Sequence, residues 1–411
     1  MTTTGPTTFR AKHVVPIEGA PIENGAVEVV DGRITAVGPA GPIASPHAVD
    51  FGECVLLPGF VNAHTHLELT TYADQLPTGD LWDWIPALVR QRALTGQFAR
   101  EQDGIRRGAA LALQAGTTTL ADISRQHTAW PILCETPLRC VCFAELLCFA
   151  AEPARTIDEL AEKVRATRTD ARRSVGIAPH APYSVTPRQL RDCVAWARRE
   201  RLPLTMHVAE TPEERQYIET GTGRLYELLA AGGFVEKNPP PRQPLFEYLA
   251  ASGLFDGPAL LAHVNDVSDA ELDRLSRSAC TVVYCPRAHR FFGHAAHRFR
   301  DMLARGINVC LGTDSLASNA SLSILDEMRF LHREYPDLDV HTLLEMGTRR
   351  GARGLCMEAH IGTLAPGKRA DFVVVPLHPK GSARPLVNVL ESASQPLAVA
   401  IDGETFAVHA S

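Results

Sequence analysis

The sequence predicts an α/β fold: a (β/α)8 barrel joined to a small β-sandwich assembled from both ends of the chain. Three observations predict it. Both ends are rich in strand patterns separated by turn pairs. The middle alternates short apolar runs with helical periodicity, the pattern of a parallel sheet with crossover helices. The unusual polar residues fall at the ends of those apolar runs, where a barrel collects its chemistry.

Residues 9–57 read as β structure. Residues 27–30, the pair Asp31-Gly32 and residues 33–37 make a hairpin signal. The C-terminal end repeats the style with 370–376, then 397–401, Asp402-Gly403 and 405–408. The expected division is residues 1–57 with 363–411 as the composite sandwich, and 58–362 as the barrel.

Within the barrel, the apolar runs are 59–63, 117–123, 140–147, 174–178, 204–208, 259–263, 281–284 and 308–311. Helical periodicity follows most of them, as at 105–115, 157–166, 187–198, 269–278 and 322–332. Two stretches exceed ordinary connections. Residues 80–93 (DLWDWIPALVRQRA) follow the first strand, and the proline-bearing 221–257 follow the fifth.

Composition narrows the function. Of the 411 residues, 45% are apolar and 21% charged, as in ordinary globular proteins. The net charge is −6 without a Lys/Arg block, which disfavours nucleic acid and anionic membrane surfaces. The start, MTTTGPTTF, lacks the basic and apolar regions of a signal peptide. The most apolar stretch, 141–151, is cut by Glu145 and is too short to span a bilayer. A soluble cytoplasmic protein is expected. Ten cysteines without a CxxC pair argue against a disulfide framework and a four-cysteine zinc site.

The polar residues at strand ends carry the chemistry. His64 and His66 end the first strand in PGFVNAHTH, and His180 ends the fourth in APHAPYS. His207 ends the fifth in MHVAE, with Glu210 three residues on. His263 ends the sixth in LLAHVND, and Asp314 ends the eighth in GTDSLASN. Residues i and i+2 of a strand share a face, so His64 and His66 can grip one ion. Adding His207 and Asp314 gives three imidazole nitrogens and one carboxylate, a set that suits both zinc and iron, with zinc the expected ion. Such an ion acidifies a bound water and supplies a nucleophile for an sp² carbon near neutral pH. Each histidine alone is an ordinary core or surface residue. Five strand ends bearing the right residue in an order a barrel brings together are not.

With these segments and the tail IGTLAPGKRADFVVV, the chain resembles the amidohydrolase superfamily over residues 27–376. The HxxE from His207 to Glu210 is similar to the branch of cytosine, guanine and adenosine-type deaminases and triazine hydrolases. The resemblance implies one divalent metal held by His64, His66, His207 and Asp314. It implies that Asp314 takes a proton from water, His263 orients that water, and Glu210 carries a proton to a ring nitrogen and then to leaving ammonia. His180 would contact the substrate. A second metal is not implied, because the fourth strand ends in His180 and offers no lysine. The superfamily also implies a homo-oligomer.

The segment CPRAHRFFGH (285–294), with HTHLELT and TTLADIS, resembles aminodeoxyfutalosine deaminase-like proteins, whose substrate is a 6-aminopurine nucleoside bearing a benzoate. Arg90, Arg92 and Arg287 are candidates to pair with that carboxylate. Trp82, Trp84, Phe291 and Phe292 are candidates for an apolar cap over a flat ring. The glutamate that S-adenosylhomocysteine/methylthioadenosine deaminases carry in the first-strand loop is missing after Trp84, which sets those two substrates apart. The competing readings are a triazine chlorohydrolase, a cyclic amide hydrolase and a silent barrel scaffold. Glu210 favours a ring that needs protonation. The HxE at His66-Leu67-Glu68 lacks the P-C-x-x-C that a cytidine-deaminase fold requires.

Overall fold

The computed structural model of the chain describes residues 5–43, 47–125, 127–147, 157–236 and 238–408. The N-terminal part forms β1 (Thr7–Val14), β2 (Ile22–Val30), β3 (Arg33–Pro39), β4 (His47–Asp50) and β5 (Cys54–Pro58). Then come β6 (Phe60–Thr65), β7 (Thr117–Arg125), β8 (Arg139–Leu146) and β9 (Arg173–Pro179). They are followed by β10 (Thr205–Val208), β11 (Leu260–His263), β12 (Thr281–Tyr284) and β13 (Asn308–Leu311). The chain closes with β14 (Phe372–Pro376), β15 (Ala398–Ile401) and β16 (Glu404–Ala407).

The terminal strands join in one eight-stranded sheet, ordered β16-β15-β14-β5-β1-β2-β3 with β4 beside β1. Both turn pairs read in the sequence make tight hairpins, with left-handed φ at Asp31 and Gly32 (49° and 73°) and at Asp402 and Gly403 (49° and 76°). Alternation along the strands sorts their side chains to two faces. Leu56, Phe372, Val374 and Ala400 join Phe9, Val27 and Ile34 in a core private to this sheet. Val55, Leu57, Val373 and Val375 face the other way, into the large core of the barrel helices.

The other eight strands form two parallel four-stranded runs, β6-β7-β8-β9 and β10-β11-β12-β13. Bridges Ile177↔Leu204 and Thr65↔Asp314 join these runs at both seams and close the barrel. Val61, Ala63, Ile123, Val141, Phe143, Val283 and Cys310 fill the lumen. Gly176 is required beside them. A Cβ there would overlap the Phe143 ring and stand 2.9 Å from the Pro203 carbonyl. The outer helices carry their own caps, such as the reciprocal Thr186–Gln189 and Ser268–Glu271 boxes.

The two long connections are both helical. Residues Leu81–Arg92 form a helix capped by Asp80, and 221–257 contain helices Arg224–Ala231 and Leu245–Ala251. Arg224 ties them together through Asp80 (2.8 Å) and Asp83 (2.6 Å). At the opposite end of the barrel, Arg139 on β8 is buried and pairs with Asp371 (2.9 Å) and Asp402 (2.9 Å) of the terminal sheet. No helix among the described residues is long and apolar enough to cross a membrane.

Candidate metal centre and active site

The two ends of the HTH motif sit where β6 runs out at the barrel mouth. His64, His66 and His207 bring their ligand atoms within 4.8 Å of one another. His66 Nε2 lies 3.3 Å from His207 Nε2. Asp314, just past β13, places Oδ1 3.9 Å from the Nε2 of both His64 and His66. The seam of the barrel makes this meeting, since the N–H groups of Thr313 and Asp314 both donate to the His64 carbonyl at 3.1 Å.

The donor set fits a divalent cation. Both ring nitrogens of His64 are buried and lack a hydrogen-bond partner, a costly state for a group without a ligand. Burial and neighbouring imidazoles push His64 and His66 well below the ordinary histidine value. Burial lowers His207 to about 4. These rings are therefore neutral at physiological pH, the form that binds metal. His207 Nδ1–H donates to the His180 carbonyl at 2.9 Å, which leaves Nε2 for coordination. Burial pushes Asp314 up to about 6, although Ser318 donates to its Oδ2 at 3.0 Å.

Glu210 and His263 stand beside this cluster. His263 Nε2 lies 3.6 Å from Glu210 Oε1, and its ring centroid is 5.3 Å from that of His64 and 5.4 Å from that of His207. Burial, then the charges of Asp314 and Glu214, push Glu210 well above the usual carboxylate range. Left-handed φ values at Ala209 (50°), His263 (70°), Val264 (53°) and Asp314 (57°) mark the strand ends. Non-glycine residues in that region are uncommon and gather at functional sites.

His180 ends β9 beside His207, with ring centroids 4.8 Å apart, and its Nδ1 lies 2.8 Å from Ser184 Oγ. Trp84 is buried, donates to the Ala317 carbonyl at 3.3 Å and meets Phe292 edge-on at 5.6 Å. Trp82 meets Tyr183, which in turn meets His180. Aromatic side chains of the connection after β6 thus pack against those after β9 and β12.

The arginines separate. Arg92 is held by Glu68 and by Glu101 (2.9 Å), which also accepts the Tyr72 hydroxyl at 2.8 Å. This gives Glu68 an ion-pair partner, and burial raises it to about 7. Arg287 donates to Ser321 at 2.7 Å and faces Asp326 and Glu327. Arg90 is exposed and has no ion pair among the described residues. The mouth cluster therefore unites His64, His66, His180, His207, Glu210, His263 and Asp314, while Arg90 and Arg287 stay outside its contacts.

Sequence reading missed the braces. Asn62 pairs with Thr313 (2.8 Å) across the seam. Glu214 accepts the N–H groups of Ala209 and Glu210, and His297 donates to the His263 carbonyl at 2.8 Å. Thr211 and Glu214 had a capping-box spacing that marks Glu214, but its carboxylate reaches back past Thr211.

A sequence model of the amidohydrolase family matches residues 55–406. A 5-methylthioadenosine/S-adenosylhomocysteine deaminase of Nitratidesulfovibrio vulgaris is 33% identical over 385 residues, covering 87% of this chain and 80% of the relative. Among solved structures, a zinc-bound adenosine deaminase of Xanthomonas campestris superimposes with a TM-score of 0.85 at 26% identity, covering 97% of this chain and 92% of the other. Helicobacter pylori aminofutalosine deaminase, in complex with methylthio-coformycin, matches with a TM-score of 0.85 at 23% identity, covering 97% and 100%.

Proposed function

The chain belongs to the amidohydrolase family, and on that premise we propose that its barrel mouth removes the amino group of an adenosine-type nucleoside by metal-dependent hydrolysis. It is a hydrolase of carbon–nitrogen bonds outside peptides, with residues 58–362 as the catalytic unit. One observation carries the reading. Three neutral imidazoles and Asp314 converge beside the buried pair Glu210–His263. The 33% identical deaminase and the zinc-bound adenosine deaminase support it.

His64, His66, His207 and Asp314 would hold the divalent ion, zinc in our reading and iron as the alternative. When bound, that ion supplies a water activated as a nucleophile near neutral pH. Asp314 takes the proton from the attacking water. Glu210, whose carboxyl burial raises well above the usual carboxylate range, gives a proton to the ring nitrogen next to the amino-bearing carbon, which makes that carbon electrophilic. His263 hydrogen-bonds the attacking oxygen. The ionised Glu210 then relays to the leaving nitrogen the proton that Asp314 took from the water. The carbon–nitrogen bond breaks, ammonia departs, and the proton of the added hydroxyl returns to Glu210 as the ring carbonyl forms. His180 contacts the purine, and Trp84 with Phe292 forms an apolar wall against it.

Aminodeoxyfutalosine stands first among the nucleosides, with 5-methylthioadenosine and S-adenosylhomocysteine as the rivals that the relatives' names raise. The test is ammonia release from a panel of these three nucleosides with adenosine, guanine and cytosine. Ammonia from purine nucleosides supports the reading. Ammonia from guanine or cytosine alone would refute it.

A further inference from the structure

The connections after β10, β11 and β12 meet at one amide side chain, Asn265. Its Nδ2 donates to the Glu210 carbonyl at 3.0 Å, and its Oδ1 lies 3.2 Å from His289 Nδ1. Because Nδ2 serves Glu210, Oδ1 is the acceptor and His289 carries its proton on Nδ1. The N–H groups of Asn265 and Asp266 both donate to the Ala209 carbonyl at 2.9 Å. From the other side, the buried carboxylate of Glu214 accepts the N–H of Ala209 (2.9 Å) and of Glu210 (3.0 Å). All four backbone polar groups of Ala209 and Glu210 are thus engaged, which holds Ala209 in its left-handed conformation (φ 50°). The Glu210 side chain leaves this fixed turn and reaches 3.6 Å from His263 Nε2. The carbonyl of His263 is fixed in turn by His297 at 2.8 Å. His289 and His297 both follow β12, within and just beyond the segment 285–294.

We propose that Asn265, oriented by His289, is a positioning residue that aims the Glu210 carboxyl at the reacting ring. The proposal rests on the deaminase reading above. Asn265 acts through the Glu210 backbone. Its loss removes the bond to the Glu210 carbonyl and loosens the Glu210 end of the turn, while the bonds from Glu214 and from the Asn265 and Asp266 N–H groups stay and the acid is kept. Displacement of a proton donor by about an ångström is felt in the chemical step more than in binding.

The test compares Asn265→Ala, His289→Ala and His289→Asn with the wild type, all loaded with zinc. Asparagine at 289 sets an amide N–H where Nδ1–H stands. The proposal expects kcat to fall about tenfold to a hundredfold in Asn265→Ala and His289→Ala, with KM within about threefold. It expects the limb of the kcat–pH profile set by Glu210 to move in both, zinc content to match the wild type, and His289→Asn to recover most of the rate. Wild-type kcat and pH profile in Asn265→Ala would overturn it, and so would loss of zinc from that variant. If Asn265→Ala does not fold, the two His289 variants decide, and equal loss in both overturns it. If the wild type releases no ammonia, the deaminase reading fails separately. Crystal structures of wild type and Asn265→Ala then decide the positioning claim, which stands if Glu210 leaves His263 in the variant and falls if it does not.

Discussion

The Nδ1–H of His207 donates to the backbone carbonyl of His180 at 2.9 Å, and the opposite nitrogen of the same ring lies 3.3 Å from His66 Nε2. One hydrogen bond between adjacent strands therefore selects the tautomer that offers Nε2 to an ion. Exchange of His207 for alanine is expected to leave bound metal well below stoichiometric. Activity should fall by roughly three orders of magnitude, since the activated water is lost with the ion. Metal analysis of the purified variant beside a rate measurement checks both.

Glu210→Gln keeps the shape of the side chain and removes its proton transfer. A general acid contributes about 10²- to 10⁴-fold, so kcat should fall within that range while metal content holds. A variant with kcat within a few-fold of wild type would remove Glu210 from the reaction.

Arg139 joins the barrel to the terminal sheet through Asp371 and Asp402, across 232 residues of chain in the first case. Arg139→Ala leaves the buried carboxylate of Asp371 without an ion-pair partner among the described residues, while the half-buried Asp402 keeps Arg172 (2.6 Å) and Arg369 (3.4 Å). Breaking such a pair costs about 3–5 kcal/mol. Chemical denaturation should show that loss, and the rate of the folded fraction should remain close to wild type because the network lies at the end of the barrel away from the mouth.

Glu327 lies fully buried on the helix after β13 and accepts hydrogen bonds from Arg287 N–H (3.0 Å) and Asn319 Nδ2 (2.7 Å). Burial outweighs these contacts and raises its carboxyl from 4.5 to about 8. A carboxyl whose folded value lies above its unfolded value holds its proton more tightly when folded. Its contribution to stability is complete below about pH 4.5 and is lost as pH rises towards 8. Glu327→Gln should therefore gain on the wild type by a few kcal/mol between pH 5 and pH 8. Parallel denaturation curves at the two pH values test this. A constant difference would contradict it.

Much of this was legible in the sequence because the signals are local. Strands of four to nine residues with apolar patterns gave all eight barrel strands, and Asp-Gly pairs gave both hairpins. The mouth residues were legible because position at a strand end and residue type coincide, as at His64, His207 and Asp314. The braces were not, because a contact such as Asn265 to Glu210 spans 55 residues and depends on how two strand ends are set side by side. Arginines selected by type fared differently from histidines selected by place. Arg287 is absorbed by Ser321 and its acidic neighbours, and Arg90 lies on an exposed helix face, because a long cationic side chain satisfies many surroundings.

The most direct measurement is ammonia release from aminodeoxyfutalosine, 5-methylthioadenosine and S-adenosylhomocysteine by the same preparation, first stripped of metal and then reloaded with zinc. Metal-dependent deamination predicts no release after stripping and recovery on reloading with at least one of the three. Release that persists in the stripped protein, or none from any nucleoside after stoichiometric reloading, would contradict it.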